Sequence, residues 1–134
     1  MTTPEPGFLA LEDVVTIHAD QIERYGGSAG IRDLGLLDAA VAMPRSSFGG
    51  EFLHTDVCEM AAAYLYHIVC NHPFVDGNKR TGTAAALVFL ELHGVQVDMD
   101  DDALVALVLS VAEGRTLKPE VANALRLHAA PSRP

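Results

Sequence analysis

The chain has 134 residues, of which 49% are hydrophobic and 20% are charged, a composition that fits one globular domain with its own core. Its formal net charge of −9 argues against general nucleic-acid binding, because such proteins need excess Lys and Arg to neutralise phosphates. No apolar run reaches the roughly 18 residues of a membrane span, and the N-terminus lacks the blocks of a signal peptide. We therefore expect a cytoplasmic protein with no membrane contact.

The first predicted element is a helix over residues 11–25, where apolar side chains recur three and four positions apart until Gly26 and Gly27 stop the pattern. One of these positions is His18, which we expect to be a hydrogen-bonded core or near-site histidine rather than a catalyst. The glycine-rich residues 26–35 predict a loop. A short helix then follows from Leu36 until Pro44 ends it.

A longer helix is predicted to begin at Asp56, where a capping pattern with Glu59 precedes a broad apolar stripe. Residues 81–94 are apolar or small on every face up to Glu91, which is typical of a buried central helix. Two further helices are expected, from about Asp101 to Glu113 and from Pro119 to about His128.

No segment alternates with the period of two that marks a half-buried strand. The expected fold is therefore all-α: a single compact domain of about six helices over residues 1–134, with short flexible tails at about 1–7 and 129–134. Cys58 and Cys70 both have apolar neighbours and are predicted to be reduced thiols in the core.

The stretch HPFVDGNKR, residues 72–80, lies between the predicted helix that begins at Asp56 and the predicted central helix. A helix N-terminus attracts anions, and Gly77 allows the backbone amides of Gly77 and Asn78 to approach a phosphate. The Asn78 side chain offers a further neutral donor. Lys79 and Arg80 place two positive charges where the helix dipole disfavours them unless an anion is bound, which indicates function rather than stability.

Two side chains in this stretch have the chemistry of group transfer. Asp76 supplies the hard oxygen ligand that Mg²⁺ accepts when water and substrate phosphates complete its shell. His72 is the natural general base, since an ordinary imidazole pKa of about 6.5 lets it accept a hydroxyl proton. Together they predict metal-assisted phosphoryl or nucleotidyl transfer.

The same stretch resembles the signature of the Fic/Doc superfamily: His, any residue, Phe, any residue, Asp or Glu, Gly or Ala, Asn, Gly or Lys, Arg. Every fixed position is met, by His72, Phe74, Asp76, Gly77, Asn78, Lys79 and Arg80. The resemblance implies a helical domain with the catalytic loop leading into the central helix. It also implies that Phe74 anchors the loop to the core, where an aromatic ring is best buried.

At two positions the chain resembles the death-on-curing, or Doc, branch of this superfamily. Members that transfer AMP usually have Gly where this chain has Lys79, and a second Arg where it has Thr83. The Doc resemblance implies transfer of the ATP γ-phosphate to a protein Ser/Thr hydroxyl, on elongation factor Tu, with His72 as base and Asp76 as Mg²⁺ ligand. Gly77, Asn78, Lys79 and Arg80 would hold the phosphates. An AMP or other nucleotidyl transferase remains the alternative, and a catalytically silent binding module is a third.

The resemblance also implies a segment upstream of the motif that positions the target, and residues 26–35 and 44–53 are both candidates. Many Fic proteins restrain themselves through a helix with Ser or Thr four residues before Glu. Here Ser110 lies only three residues before Glu113, so that pattern is not met. Restraint is therefore expected from a cognate antitoxin.

Overall fold

A computed structural model of the chain describes residues 7–132. It contains the helices α1 (Leu11–Tyr25), α2 (Leu34–Ala42), α3 (Val57–Asn71), α4 (Asn78–Leu92), α5 (Asp101–Ala112) and α6 (Lys118–Leu127). It also contains the strands β1 (Ser47–Phe48), β2 (Glu51–Phe52), β3 (Val95–Val97) and β4 (Ala129–Pro131). The predicted all-α class and the six helices are confirmed for the described residues.

The helix ends follow the local signals in the sequence. α1 ends at Gly26, which takes a φ of 84° that other residues rarely adopt. Asp56 caps α3, and its carboxylate accepts the Glu59 N–H at 2.8 Å. α2 runs into a short 3-10 turn, Met43–Arg45, that contains the predicted terminator Pro44.

Four short strands were not predicted. β1 and β2 form a hairpin whose turn residues, Gly49 and Gly50, both have positive φ. β3 and β4 pair antiparallel, with Gln96 opposite Ala130. Each strand has only two or three residues, too few for an alternating pattern to stand out. Part of the predicted C-terminal tail therefore lies in β4, whereas residues 1–6 and 133–134 of the predicted tails lie outside the described residues.

The core is centred on the pair α3 and α4. α3 packs against α2, α4, α5 and α6 and buries side chains around most of its circumference, while α4 buries one face. The two helices approach closely at Gly82, where an added Cβ would lie 3.0 Å from Val69 Cγ2 and 3.1 Å from the Leu65 carbonyl oxygen. This close contact fixes the two ends of the loop that joins them.

Tyr64 ties the start of the described chain to this core. Its hydroxyl accepts the Leu9 N–H at 2.8 Å, and burial raises the pKa of Tyr64 to about 12.

The two cysteines differ in environment. Cys58 is buried as predicted, but Cys70 is exposed, so the expectation of two core thiols is wrong for Cys70. Cys70 lies on a different side of α3 from the buried Ile68 and Val69, beside Tyr66 one turn earlier, which explains the difference. Within residues 7–132, none of the helices has the length and apolar character that crossing a bilayer requires.

Candidate active site

The loop between α3 and α4, residues 72–77, begins and ends in the left-handed region of backbone space. His72 has φ 52° and ψ 53°, and Gly77 has φ 76°. These two left-handed residues change the direction of the chain where α3 ends and again where α4 begins. The His72 side chain lies at the exposed end of α3.

Phe74 fixes the middle of the loop. Its ring is fully buried and stacks on the His18 ring of α1, with centroids 3.8 Å apart and planes 4° from parallel. His18 is itself buried, and its Nε2 donates to the Asp76 carbonyl oxygen at 2.8 Å. His18 is thus the hydrogen-bonded, near-site histidine that its place on the apolar stripe of α1 predicts.

The Asn78 side chain holds the loop closed. Its Oδ1 accepts the Phe74 N–H at 2.9 Å, and its Nδ2 donates to the Phe74 carbonyl oxygen at 3.0 Å. The side chain is buried and makes both bonds to one residue of its own loop. In this structure Asn78 uses its side-chain amide to shape the loop, and the expectation that this amide donates to a phosphate stays a prediction.

Asp76 lies on the exposed side of the loop. Its Oδ2 accepts the Ser28 N–H at 3.1 Å and its Oδ1 accepts the Gly77 N–H at 2.9 Å. These two backbone hydrogen bonds lower the pKa of the Asp76 carboxyl below its ordinary value, so the group is ionised at neutral pH. The Gly77 amide is therefore already engaged by a carboxylate.

The donor set around Asp76 limits the kind of metal that fits. Residues 7–132 contain no cluster of three His, Cys, Asp or Glu side chains suited to a metal. A single ionised carboxylate fits Mg²⁺, which takes one or two protein carboxylates and completes its shell with water and phosphate oxygens.

The two cations of the motif differ in their contacts. The Arg80 guanidinium donates to the Gly26 carbonyl oxygen at 2.9 Å and to that of Gln21 at 3.4 Å, and lies 5.8 Å from the centroid of the Tyr25 ring. It therefore binds the C-terminal end of α1, where a positive charge is favourable. Lys79 is exposed, and its ammonium has no hydrogen-bond partner among the described residues.

The first backbone amides of α4 complete the site. Within the described part of the chain, the N–H groups of residues 78–80 have no acceptor, as expected for the first turn of a helix. With Lys79 beside them, these amides make this end of the loop electropositive. The arrangement suits an anionic group.

The two candidate upstream segments lie in different places. Residues 30–33 run antiparallel to 73–75: the Val75 N–H donates to the Gly30 carbonyl at 3.0 Å and Ile31 pairs with Phe74. Phe52 in the 44–53 segment instead packs on Phe8, with ring centroids 5.5 Å apart. Of the two candidates, the 26–35 segment therefore borders the motif.

Several groups that shape this site carry no signal in the sequence. The Ser28 contribution is a backbone N–H, which any residue except proline supplies. Arg32 bonds to the carbonyl oxygens of Asn71 and His72 through its guanidinium. These contacts join residues about 40 positions apart or more, and only the fold brings them together.

Comparison with known proteins identifies the family of this chain. A model of the Fic/DOC family matches residues 8–90, a range that includes α1 to α3, the whole loop and most of α4. The chain belongs to the Fic/Doc family. This Fic/Doc chain is 46% identical over 95 residues to Toxin Doc of Mycolicibacterium smegmatis, covering 71% of each chain. It is also 36% identical over 115 residues to Protein kinase doc of Escherichia phage P1, covering 86% of this chain and 90% of that protein.

Proposed function

We propose that the chain is a Doc-like toxin that transfers the γ-phosphate of ATP to a Ser or Thr hydroxyl of a protein, and that elongation factor Tu is its target. The observation that carries the proposal is the complete 72–80 motif with Lys79 in its eighth position, at the N-terminus of α4. Similarity to relatives named Toxin Doc and Protein kinase doc supports the same activity. Phosphorylation of elongation factor Tu would block translation.

In this proposal His72 is the general base. The substrate hydroxyl gives its proton to the imidazole, its oxygen bonds to the γ-phosphorus, and the bond from that phosphorus to the bridging oxygen breaks to release ADP. Asp76 would hold Mg²⁺, which when bound neutralises phosphate charge. Lys79, Arg80 and the amides of Gly77 and Asn78 would bind the phosphates.

Two requirements follow from the contacts in the structure. Arg80 must share or leave its hydrogen bond to the Gly26 carbonyl oxygen to contact a phosphate. The Gly77 amide must likewise leave the Asp76 carboxylate. Lys79 and the free amides of the first turn of α4 need no such exchange, so we assign them the first contact with the nucleotide.

Position 83 favours phosphate over nucleotide transfer. Thr83 donates its hydroxyl to the Lys79 carbonyl oxygen at 2.8 Å, so its side chain lies along α4 and adds no charge. The second Arg of AMP-transferring members has no counterpart there. AMP or nucleotidyl transfer is the alternative, and a silent binding module is the third candidate.

Labelled nucleotides separate these candidates. Purified protein, Mg²⁺ and elongation factor Tu would be incubated with ATP labelled at either the α- or the γ-phosphate, with a bacterial lysate in parallel. We expect protein-bound label only from the γ-position. Label only from the α-position would replace the kinase by a nucleotidyl transferase, and absence of label with persistent toxicity would favour the binding module.

The matched variants are His72→Ala and His128→Ala. Loss of the base should reduce transfer by on the order of 10²-fold or more. His128, at the end of α6, serves as the control for removal of an imidazole away from the loop. Equal activity of the two variants would remove His72 from the mechanism.

We further propose that a cognate antitoxin restrains the site. Ser110 bonds to the Thr116 hydroxyl at 2.6 Å and Glu113 pairs with Arg115 at 2.7 Å, so the segment that fails the inhibitory pattern closes on itself. A groove of about 550 Å³ opens beside Lys79 and Arg80 and is lined on its other side by apolar residues of α5, including Val105 and Leu109.

Co-expression with any small reading frame encoded next to the gene for this chain tests this part. We expect it to restore growth and to abolish γ-label transfer in vitro. Replacement of Val105 and Leu109 by Ala should weaken binding of that partner, because it removes apolar contact area, and should leave transfer intact, because it adds no charge beside Lys79 and Arg80. Full restraint of the doubly substituted protein would show that the partner binds elsewhere.

A further inference from the structure

His72 adopts a backbone conformation that has to be held in place. It is the only residue other than glycine with a positive φ among residues 7–132. L-amino acids avoid this region because Cβ crowds the neighbouring carbonyl oxygen. At the C-terminal cap of α3 its own N–H donates to the Ile68 carbonyl oxygen at 3.2 Å, which secures only one side of the residue.

Arg32 bonds to the peptide groups on both sides of the His72 Cα. Its guanidinium donates to the Asn71 carbonyl oxygen at 3.0 Å through an η-nitrogen and to the His72 carbonyl oxygen at 2.7 Å through Nε. Its backbone N–H donates to the Pro73 carbonyl oxygen at 2.7 Å. One residue thus binds three consecutive carbonyl oxygens.

These contacts determine the direction of the His72 side chain. The Asn71 and His72 carbonyls belong to the two peptide planes that flank the His72 Cα, and the torsions between those planes are its φ and ψ. Holding both planes therefore fixes the direction of the Cα–Cβ bond and the starting point of the imidazole.

The side chain of Arg32 suits this task. Its planar fork of donors matches two carbonyls at once, which the single ammonium of lysine does not. Its charge also stabilises the C-terminal end of α3. Within the described part of the chain, no carboxylate forms an ion pair with Arg32, so the guanidinium is committed to the backbone.

We infer that Arg32 is a positioning residue for the base: it holds His72 in its left-handed conformation and so aims the imidazole at the substrate hydroxyl. The role rests on the proposed function of His72. Arg32 itself does not touch substrate in this account, since its donors are used by carbonyl oxygens.

The variants Arg32→Lys, Arg32→Gln and Arg32→Ala test the inference, with Arg24→Lys as the matched control. Arg24 is also an exposed arginine but pairs only with Asp20 on its own helix. We expect the Arg32 variants to lose kcat by on the order of 10-fold to 10²-fold, with KM for ATP within about twofold of the parent, because misorientation acts on the chemical step. Guanidinium ion added to Arg32→Ala should restore part of kcat.

A readout without turnover separates failure of this inference from failure of the proposed function. The Cα and Cβ chemical shifts of His72 report its backbone conformation in the full chain. We expect them to move towards ordinary helical or extended values in the Arg32 variants and to stay unchanged in Arg24→Lys. This holds whichever group the enzyme transfers.

Unchanged His72 shifts, or a kcat equal to that of the control, would overturn the inference. A kcat loss that tracks only a lower melting temperature, without guanidinium rescue, would also overturn it. If Arg32→Ala does not fold, Arg32→Lys alone decides, since it retains the positive charge and lacks only the planar fork of donors.

Discussion

Substitution of Gly27 by Ala tests whether the 26–33 segment sets the position of Asp76. A Cβ at Gly27 would lie 2.7 Å from Asp76 Oδ2 and 3.2 Å from Ile22 Cδ1. Ordinary contact begins at 3.4 Å, so the closest pair must separate by about 0.7 Å. The φ of 115° adds a backbone cost on the order of 1–3 kcal/mol for any residue with a Cβ.

Gly30→Ala is the matched control. Gly30 has nearly the same φ, 119°, but its added Cβ would meet only Val75 Cγ2, at an ordinary 3.5 Å. Both variants strain the backbone, but only Gly27→Ala displaces the Asp76 carboxylate. Because a misplacement of about 1 Å can cost roughly 10²-fold in rate, we expect Gly27→Ala to lose on the order of 10-fold more transfer activity than Gly30→Ala.

The assay is γ-label transfer measured over a series of Mg²⁺ concentrations. We expect the Mg²⁺ concentration for half-maximal activity to rise in Gly27→Ala and to stay at the parental value in Gly30→Ala. Equal losses in the two variants would assign the effect to backbone strain. Parental activity in Gly27→Ala would refute the idea that this segment positions Asp76.

Three further substitutions test the core by urea denaturation. Gly82→Ala should lower the free energy of unfolding by about 1–3 kcal/mol, because the new Cβ overpacks the α3–α4 contact; an unchanged value would show that the helices separate without cost. Tyr64→Phe leaves the buried Leu9 N–H without its acceptor and should cost about 1–3 kcal/mol, and a neutral result would mean that another acceptor replaces the hydroxyl. Burial, and to a lesser extent the charge of Lys118, lowers the pKa of His67 from 6.5 to about 4. Between pH 6.5 and pH 4, His67 is therefore protonated in the unfolded chain and neutral in the folded one. Stability present above pH 6.5 should therefore fall by up to about 3 kcal/mol as the pH drops to 4, and His67→Gln should flatten that part of the profile; an unaltered slope would exclude His67 as its source.

Local signals in the sequence predicted most of the helical frame. α1 has the predicted bounds because an amphipathic stripe is followed by two glycines, and α3 begins where the Asp56 capping pattern places it. The strands were missed because two or three residues show no period, and their pairing joins residues more than 30 positions apart in β3 and β4. Cys70 was placed in the core because its neighbours in the sequence are apolar, but consecutive residues of a helix point to different sides.

The sequence predicted only the part of the candidate site that lies in one continuous stretch of the chain. The motif from His72 to Arg80 is a run of nine residues, and its chemistry is visible in the residue types alone. The contacts that give it shape come from α1 and from the 26–33 segment, through backbone groups and through Arg32. The contacts of the Asn78 side chain within the loop could not be predicted, because a sequence shows which donors exist and not which partners they already have.

Because the 26–33 segment lies outside the core, the protein can lose its activity before it unfolds. Residues 24–36 are all exposed, and their main tie to the protein is a few hydrogen bonds to the loop, whereas α3 and α4 meet through a buried core. Segments with exposed hydrogen bonds and little buried surface open at lower free energy than the molecule unfolds. Mild denaturant or moderate heating should therefore inactivate the protein reversibly while its helices remain intact, and inactivation alone would be a misleading measure of unfolding.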